Sequence, residues 1–265
     1  MVITFITDFG MKDPYVGMMK GAILKLNSSV QFIDITNEIP PHDICKAGFF
    51  LSEIMPYFSE GTIHLCVVDP GVGSLRKILL ADINNQFVIF PDNGLISRSV
   101  KKYGIRTLYE INKEFFNDVS STFHGRDIFA PVAGRLASSC NHEELQFLNK
   151  IKTDDLILNP ASDLDRSQNN VTGKFLYADV FGNMIFDIRK ADIDDNFIHS
   201  EILYIDVVGL KIEDFKLSYH EGQKGELIAL WNSLGYLEIA CVEGNAFEKI
   251  TGSGRELICT IKLNN

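Results

Sequence analysis

The stretch IHLCVVDPGVGS, residues 63–74, decides the fold of the first half of this chain. The run from Ile63 to Val68 is apolar and β-branched in character, which is typical of a central strand covered on both faces. Asp69 follows directly, and ligands of open α/β sheets bind beyond the carboxyl ends of the strands. We therefore expect this strand to point at a functional site.

Short β-rich runs alternate with helical patterns before that strand. The runs are strands at residues 2–7 and 31–35 and helices at residues 15–26 and 43–58. This rhythm indicates βαβ units and predicts a mostly parallel sheet. After Asp69, the polar residues 84–86 predict a hairpin between strands 79–83 and 87–90, and residues 128–137 resume a helical pattern.

The second half has a different pattern. Residues 148–170 are polar and predict a linker, with a domain boundary near residue 160. Five strand-like runs follow, separated by Gly, Asn and Asp, at residues 171–176, 202–208, 227–231, 236–241 and 256–262. We therefore predict an α/β domain over residues 1–160 and an all-β sandwich or small barrel over residues 161–265.

Composition narrows the classes of function. The chain has 265 residues and a formal net charge of −10, which disfavours binding to the phosphate backbone of nucleic acid. No segment has the run of apolar residues needed to cross a membrane, and no signal peptide is recognisable, so we expect a cytoplasmic protein. The five cysteines and six histidines show no metal-binding spacing, so neither a metal nor a cofactor is expected.

Carboxylates follow two of the predicted strands. Asp8 and Asp13 lie where the first strand passes into the first helix; they suit ribose hydroxyls, but either could simply cap that helix. Asp69 begins a Gly-rich segment that lacks the spacing of a phosphate-binding loop and has Arg76 seven residues later. A structural turn would also explain that segment, so the residues leave both readings open.

Histidines and turns supply the other candidates. His124 precedes a predicted helix and is either structural or catalytic, since Asp127 could cap that helix and Arg126 could pair with it. His42 could line a pocket. In the second half, the turns at residues 179–183 and 232–236 are hairpins by default, although their aromatic, amide and carboxylate groups could bind a purine.

Eight motifs together carry a family resemblance. In order they are TDFGMKD (7–13), IPPHD (39–43), VDPGVGSLR (68–76), PDNG (91–94), TFHGRD (122–127), FGN (181–183), NSLGYLEIA (232–240) and GNA (244–246). Each is weak alone. In this order, across residues 3 to about 247, the chain resembles the S-adenosyl-L-methionine hydroxide adenosyltransferases, and more distantly the fluorinases and chlorinases.

The resemblance implies an activity and an assembly. Water attacks the ribose C5′ of S-adenosylmethionine to give adenosine and methionine, in a homotrimer with active sites between the N-domain of one subunit and the C-domain of its neighbour. Asp69, Arg76 and His124 match the residues that handle the water. We expect His124 and Arg76 to hold it, with Asp69 orienting the cluster or accepting the proton.

The resemblance also assigns substrate contacts, in both predicted domains. Asp8 matches the ribose-binding carboxylate, and His42 aligns with a pocket aromatic of the halogenases. Phe181 and Asn183 match positions around the adenine. Asp13, Asp179 and Ser233 match positions around the methionine end. The α/β domain would thus carry the water-handling residues and the barrel-like domain the adenine and methionine contacts.

Two rival functions remain at this level. Halide-dependent 5′-halogenation uses the same substrate, but the halogenases have a tyrosine where Asp69 stands and lack the His124-Gly125 pair. Leu234 replaces an arginine that contacts the methionine carboxylate in the fluorinase. A non-catalytic sensor of adenosine or S-adenosylmethionine is the other rival, although a sensor has no need of the water-handling residues.

Overall fold

The computed structural model describes residues 1–139, 145–159, 165–167, 170–194, 202–213, 215–250 and 257–263. The chain divides into two compact units, Met1–Ala161 and Ser162–Asn265. Among the described residues, no helix combines the length and the apolar character needed to cross a membrane.

The first unit is an α/β layer structure. Its strands are β1 (Val2–Thr7), β2 (Gln31–Thr36), β3 (Ile63–Val67), β4 (Ile78–Ile83), β5 (Gln86–Pro91), β6 (Thr107–Ile111) and β7 (Leu148–Lys150). Its α-helices are α1 (Tyr15–Leu24), α2 (Ile44–Ile54), α3 (Ser97–Tyr103) and α4 (Ala130–Ser138). Single turns of 3₁₀-helix occur at Met55–Tyr57, Lys113–Phe115 and Thr153–Asp155, and a π-helical turn at Gly125–Phe129 precedes α4.

The seven strands form one sheet in the order β2-β1-β3-β5-β4-β6-β7. Strands β2, β1, β3 and β5 are parallel to one another, whereas the pairs β5-β4, β4-β6 and β6-β7 are antiparallel. The expected α/β architecture is therefore confirmed. Because β1 and β3 are adjacent and parallel, with Thr7 opposite Val67, the residues that follow them reach the same edge of the sheet.

The central position of β3 explains its apolar sequence. All five of its residues are buried, and alternate side chains enter two different cores. Leu65 packs with residues of α1 and α4, whereas Cys66 packs with residues of α2. The strand therefore has a hydrophobic layer on each face, as a continuous apolar run predicts.

Several boundaries have identifiable local causes. The carboxylate of Asp43 accepts a hydrogen bond from the amide of Lys46 and caps α2, as the sequence indicates. The hairpin between β4 and β5 turns at Asn84 and Asn85, both with positive φ, which matches a two-residue type I′ turn. By contrast, α1 has Pro14 at its N-cap position and no side-chain cap, so the alternative in which Asp8 or Asp13 caps this helix is wrong.

The predicted linker is partly structured. Leu148–Lys150 pairs with β6 as the edge strand β7, and Asp165–Ser167 forms β8 beside the next strand. A linker throughout 148–170 is therefore wrong. The physical reason is that three-residue edge strands are held by backbone hydrogen bonds to a neighbour and carry no alternating apolar pattern of their own.

The second unit is antiparallel. Besides β8 it contains β9 (Asn170–Ala178), β10 (Met184–Arg189), β11 (Ile202–Val207), β12 (Leu210–Ile212), β13 (Leu227–Trp231), β14 (Tyr236–Cys241) and β15 (Ile258–Leu263), with short helices α5 (Lys190–Asp194) and α6 (Ala246–Ile250). The order is β12-β11-β15-β9-β10-β14-β13, and a bridge from Phe215 to Ala229 of β13 brings the ends towards closure. This nearly closed barrel confirms the second predicted fold, and it adds β10 and β12 to the five expected strands.

Candidate active site

Asp69, Arg76 and His124 form one hydrogen-bonded cluster. The Arg76 Nε atom lies 3.0 and 2.8 Å from the two carboxylate oxygens of Asp69, and its Nη2 atom donates to Oδ2 as well. The same Nη2 atom lies 3.0 Å from Nδ1 of His124. The side chains of Arg76 and Asp69 are only 8% and 5% exposed, so the ion pair is shielded from water.

The contact with Arg76 determines the state of His124. A guanidinium has only donors, so Nδ1 of His124 must accept the hydrogen bond and Nε2 must carry the proton of the neutral ring. Burial lowers the pKa of His124, and the charges of Arg76 and Lys113 lower it further, against the opposing charges of Asp69 and Asp127. The imidazole is thus held neutral with its N–H at Nε2.

Arg76 keeps one more donor available. Its Nη1 atom is buried and has no hydrogen-bond acceptor within the described part of the chain. A buried guanidinium N–H without an acceptor is costly. The Nε2–H of His124 is the other donor of the cluster.

The segment between Asp69 and Arg76 folds back on itself. The amide of Gly71 donates to Oδ1 of Asp69 at 3.2 Å, and the hydroxyl of Ser74 donates to the carbonyl of Gly71 at 2.6 Å. Gly73 has φ +79° and lies so close to Ser121 that a Cβ there would be 2.5 Å from the Ser121 carbonyl oxygen. Only glycine fits this position, which explains the side-chain-free backbone of the motif.

Asp8 reaches the same edge of the sheet from β1. Its Oδ2 atom accepts the backbone N–H of His42 at 3.0 Å, and Nδ1 of His42 lies 4.0 Å from that oxygen. His42 adopts a positive φ of 69°, a strained conformation for a residue with a side chain. A carboxylate and a mostly exposed imidazole are thus presented together at the sheet edge.

A cleft of about 280 Å³ joins these groups. Its lining includes Asp8, His42, Asp69 and His124. The rings of Phe9, Tyr15 and Phe123 form its apolar wall and contact one another at centroid distances of 5.1 to 5.8 Å. A cleft with an aromatic wall and a few convergent polar groups is the usual form of a small-molecule site.

The neighbours of His124 have structural roles. Arg126 pairs with Asp127 at 2.6 Å, as the sequence suggests, and Asp127 also accepts the amide of Ser120 at 2.9 Å. Asp127 lies inside the π-helical turn and His124 occupies its N-cap without a side-chain hydrogen bond, so the alternative in which Asp127 caps the helix is wrong. Asp13 is exposed and is not among the residues that line the cleft.

In the second unit, Asp179, Phe181 and Asn183 share one turn between β9 and β10. Oδ1 of Asp179 accepts the amides of Phe181 and Asn183 at 2.9 Å, and Oδ2 accepts the side-chain amide of Asn183 at 3.1 Å. Asn183 is buried, whereas the ring of Phe181 is 72% exposed. The turn thus holds its carboxylate and amide rigidly and presents an aromatic face outward.

Ser233 lies exposed in the turn between β13 and β14. The side-chain oxygen of Asn232 accepts hydrogen bonds from the amides of Leu234 and Tyr236, each at 3.0 Å, and so shapes this turn.

Asn232 also forms a hydrogen bond with the buried carboxylate of Glu238, which accepts the Tyr219 hydroxyl at 2.5 Å. Burial raises the pKa of Glu238, the Tyr219 and Asn232 hydrogen bonds lower it, and the charge of Asp179 raises it. Glu238 therefore connects the two turns electrostatically.

The family comparison agrees with this geometry. Residues 3–146 match the SAM hydroxide adenosyltransferase N-terminal domain, and residues 173–256 match the SAM hydroxide adenosyltransferase C-terminal domain. The chain belongs to this family. The N-terminal match contains the whole Asp69–Arg76–His124 cluster, and the C-terminal match contains the turns of Asp179 and Ser233.

Similar proteins cover nearly the whole chain. A protein of Methanocaldococcus jannaschii named (R)-S-adenosyl-L-methionine hydrolase is 34% identical, covering 92% of this chain and 90% of its own. A fluorinase of Actinoplanes sp. is 23% identical over 90% of both chains. The crystal structure of an uncharacterized conserved protein from Thermotoga maritima has a TM-score of 0.88 and 30% identity, covering 99% of this chain and 100% of its own.

Some residues of the site were not singled out from the sequence. Phe9 and Phe123 lie within motifs of the family resemblance. Their positions next to Asp8 and His124 in the sequence could have identified them as site residues. Tyr15 and Lys113 lie outside those motifs, and only the fold brings them to the site.

Proposed function

We propose that this protein hydrolyses S-adenosyl-L-methionine to adenosine and L-methionine. The observation that carries the proposal is the Asp69–Arg76–His124 cluster at the end of a cleft that also contains Asp8. Family membership and relatives named (R)-S-adenosyl-L-methionine hydrolase support the same reaction. The water-handling role of these three residues is part of the proposal.

The substrate chemistry requires activation of the nucleophile rather than of the leaving group. The oxygen of water or hydroxide bonds to the ribose C5′, and the C5′–S bond breaks with its electron pair moving to sulfur. Because the sulfonium becomes a neutral thioether, methionine leaves without a proton donor. The protein therefore needs to position the oxygen for in-line attack and stabilise its negative charge.

The cluster is suited to binding hydroxide. His124 lines the cleft and its Nε2–H is a donor, while both oxygens of Asp69 are occupied by Arg76. A carboxylate paired in this way is a weak base, so we assign Asp69 the orientation of Arg76. Bound water loses its proton to bulk water through the open cleft, and the Nε2–H donor of His124 and the positive charge of Arg76 stabilise the hydroxide that remains.

Substrate contacts are proposed for both units. Asp8 binds the ribose hydroxyls with His42 beside it, because a carboxylate is a strong acceptor for paired hydroxyl groups. Phe181 and Asn183 bind the adenine by stacking and hydrogen bonding, while Asp13, Asp179 and Ser233 bind the methionine end. The cationic substrate also suits a chain of net charge −10.

We further propose that the protein is a cytoplasmic homotrimer with sites shared between subunits. The support is the family resemblance together with large apolar side chains on the surface. Leu75 next to Arg76 is 101% exposed, and Val180 next to Phe181 is 94% exposed. Analytical ultracentrifugation should give three times the mass of the 29.8 kDa chain; a monomer at all concentrations would contradict this assembly.

Halogenation is disfavoured by the comparison with known proteins. The relatives named (R)-S-adenosyl-L-methionine hydrolase are 29–34% identical to this chain. The fluorinases in the comparison are also the more distant relatives, at 20–23% identity.

Product analysis tests the proposed function. Purified protein is incubated with S-adenosylmethionine in water labelled with heavy oxygen, with and without excess chloride, and the products are resolved by liquid chromatography and mass spectrometry. We expect methionine and adenosine with the label at O5′, insensitive to chloride and lost in H124A. Chloride-dependent 5′-chloroadenosine would instead indicate a halogenase, and tight binding of unchanged substrate a sensor.

A further inference from the structure

Lys113 lies outside every motif of the family resemblance, and its side chain contacts the main chain of Arg76. It begins the 3₁₀ turn Lys113–Phe115 after β6, with Asn112 capping that turn through the amide of Glu114. Its Nζ atom donates a 2.6 Å hydrogen bond to the main-chain carbonyl of Arg76. The side chain is partly buried, so the ammonium is held against the main chain of the residue whose guanidinium binds Asp69 and His124.

The charge of Lys113 also affects the pKa of His124. The groups that act on the His124 imidazole are the cations Arg76 and Lys113 and the carboxylates Asp69 and Asp127. Both cations lower the pKa of His124, in the same direction as burial. Burial and the charge of Arg76 in turn lower the pKa of Lys113, while Asp69 and Glu110 raise it, so these groups form one electrostatic cluster.

We propose that Lys113 is a positioning residue for hydrolysis, because its ammonium anchors the Arg76 main chain and adds a second positive charge to the cluster that holds His124. This proposal rests on the proposed function. Two effects follow from it. The anchor fixes the direction of the Arg76 side chain, and the charge favours neutral His124 and anionic hydroxide over their protonated forms.

Three substitutions separate the two effects. K113R keeps the charge and a donor, K113Q keeps a donor without the charge, and K113M removes both. For K113M we expect kcat to fall roughly 10- to 100-fold, since a small displacement of a catalytic group has effects of that size. We expect KM to stay near the wild-type value, because Lys113 is absent from the cleft lining.

The pH dependence of kcat distinguishes the proposal from a purely structural role of Lys113, because a structural role would leave the acid limb in place. Removing the charge raises the pKa of both His124 and bound water, so the acid limb of kcat should move to higher pH in K113M and K113Q. In K113R the limb should stay at its wild-type position. K102M is the matched control, because Lys102 also donates to a main-chain carbonyl, that of Ser52, but pairs with Glu53 at 3.0 Å between α3 and α2. Its kcat and acid limb should match the wild type.

Each outcome decides the proposal. A K113M enzyme with wild-type kcat, or with reduced kcat and an unmoved acid limb, would overturn it, as would an equal shift in K102M. If K113M does not fold by circular dichroism, K113Q gives the same decision on the limb. Failure of the wild-type protein to release adenosine would count against the proposed function itself and is seen before any Lys113 variant is compared.

Discussion

Nη2 of Arg76 lies 3.0 Å from Nδ1 of His124, so the guanidinium selects the neutral imidazole that carries its proton on Nε2. A histidine in that state donates to an oxygen ligand at Nε2 and has no free nitrogen to accept a proton. The cluster therefore favours stabilisation of hydroxide over general-base catalysis by His124.

Replacing His124 by glutamine tests that orientation. The side-chain amide N–H of the introduced glutamine can take the place of the Nε2–H donor, whereas alanine removes it. We expect kcat of H124Q to be roughly tenfold or more higher than kcat of H124A, since one donor to a developing charge contributes at least that factor. Steady-state kcat for both variants, with circular dichroism as a folding control, makes the comparison; equal losses would contradict a donor role.

Acidity should inactivate the wild-type enzyme. The pKa of His124 is lowered by burial and by neighbouring cations, so the ring stays neutral at neutral pH and becomes protonated only below its ordinary range near 6.5. Protonation places a hydrogen on Nδ1 against Arg76 and abolishes the contact. We expect kcat to be lost as pH falls below about 6.5. A profile in which turnover increases on acidification would refute this.

Substituting Asp69 by asparagine should separate catalysis from binding. The amide cannot balance the Arg76 charge, and Arg76 then loses its fixed direction. We expect kcat to fall by about 100-fold or more while KM changes little. Breaking a buried ion pair also costs roughly 3–5 kcal/mol of stability, so thermal unfolding is measured alongside.

D34N is the control for that substitution, because Asp34 pairs with Lys20 on the surface of β2 and is distant in sequence from the cluster. It should leave kcat and the unfolding temperature nearly unchanged. If D69N instead turned over substrate like the wild type, Asp69 would have no part in the mechanism.

Two neighbouring glycines should differ in their tolerance of a methyl group. In G73A the new Cβ would lie 2.5 Å from the Ser121 carbonyl at a positive φ, so the segment carrying Arg76 must move. In G71A the nearest atoms are 3.4 to 3.6 Å away, an ordinary contact. We expect G73A to lose kcat roughly 10- to 100-fold and G71A to lose far less. Similar kcat values for the two variants would show that the segment is not rigid.

Stability should also depend on a buried histidine outside the site. His64 is fully buried between Thr4 and Gln86, and burial lowers its pKa to about 4. Gln86 donates to the carbonyls of Met55 and Phe58, so its oxygen faces His64 and Nε2 of His64 must be the donor. The Thr4 hydroxyl can either donate to or accept from Nδ1, so burial rather than the hydrogen-bond network keeps the ring neutral.

The unfolded chain binds a proton at His64 below pH about 6.5, and the native protein only below about 4. The contribution of His64 to the free energy of unfolding should therefore fall by roughly 3 kcal/mol as the pH falls from about 6.5 to about 4. Urea unfolding of wild type and H64Q at several pH values measures the difference. Parallel pH dependence in the two proteins would rule out this contribution.

Much of the architecture could be predicted from periodicity and composition. The apolar run at Ile63–Val68 predicted the central strand, and the polar residues 84–86 between two strand-like runs predicted the hairpin, in which Asn84 and Asn85 have positive φ. The edge strand β7 and the start of the helix at Gly125 could not be predicted in this way. Neither a three-residue strand nor a π-helical turn has a periodic signal, and both depend on tertiary neighbours.

The sequence by itself determined the two fold classes, the motifs that indicate the family, and the identities of Asp69, Arg76 and His124 as candidates. Only the tertiary structure decided how those three bind one another, which nitrogen of His124 carries the proton, and that Lys113 anchors Arg76. The physical reason is that motifs record residues close in the chain, whereas hydrogen bonds and charges act through space between residues that the sheet brings together from distant positions.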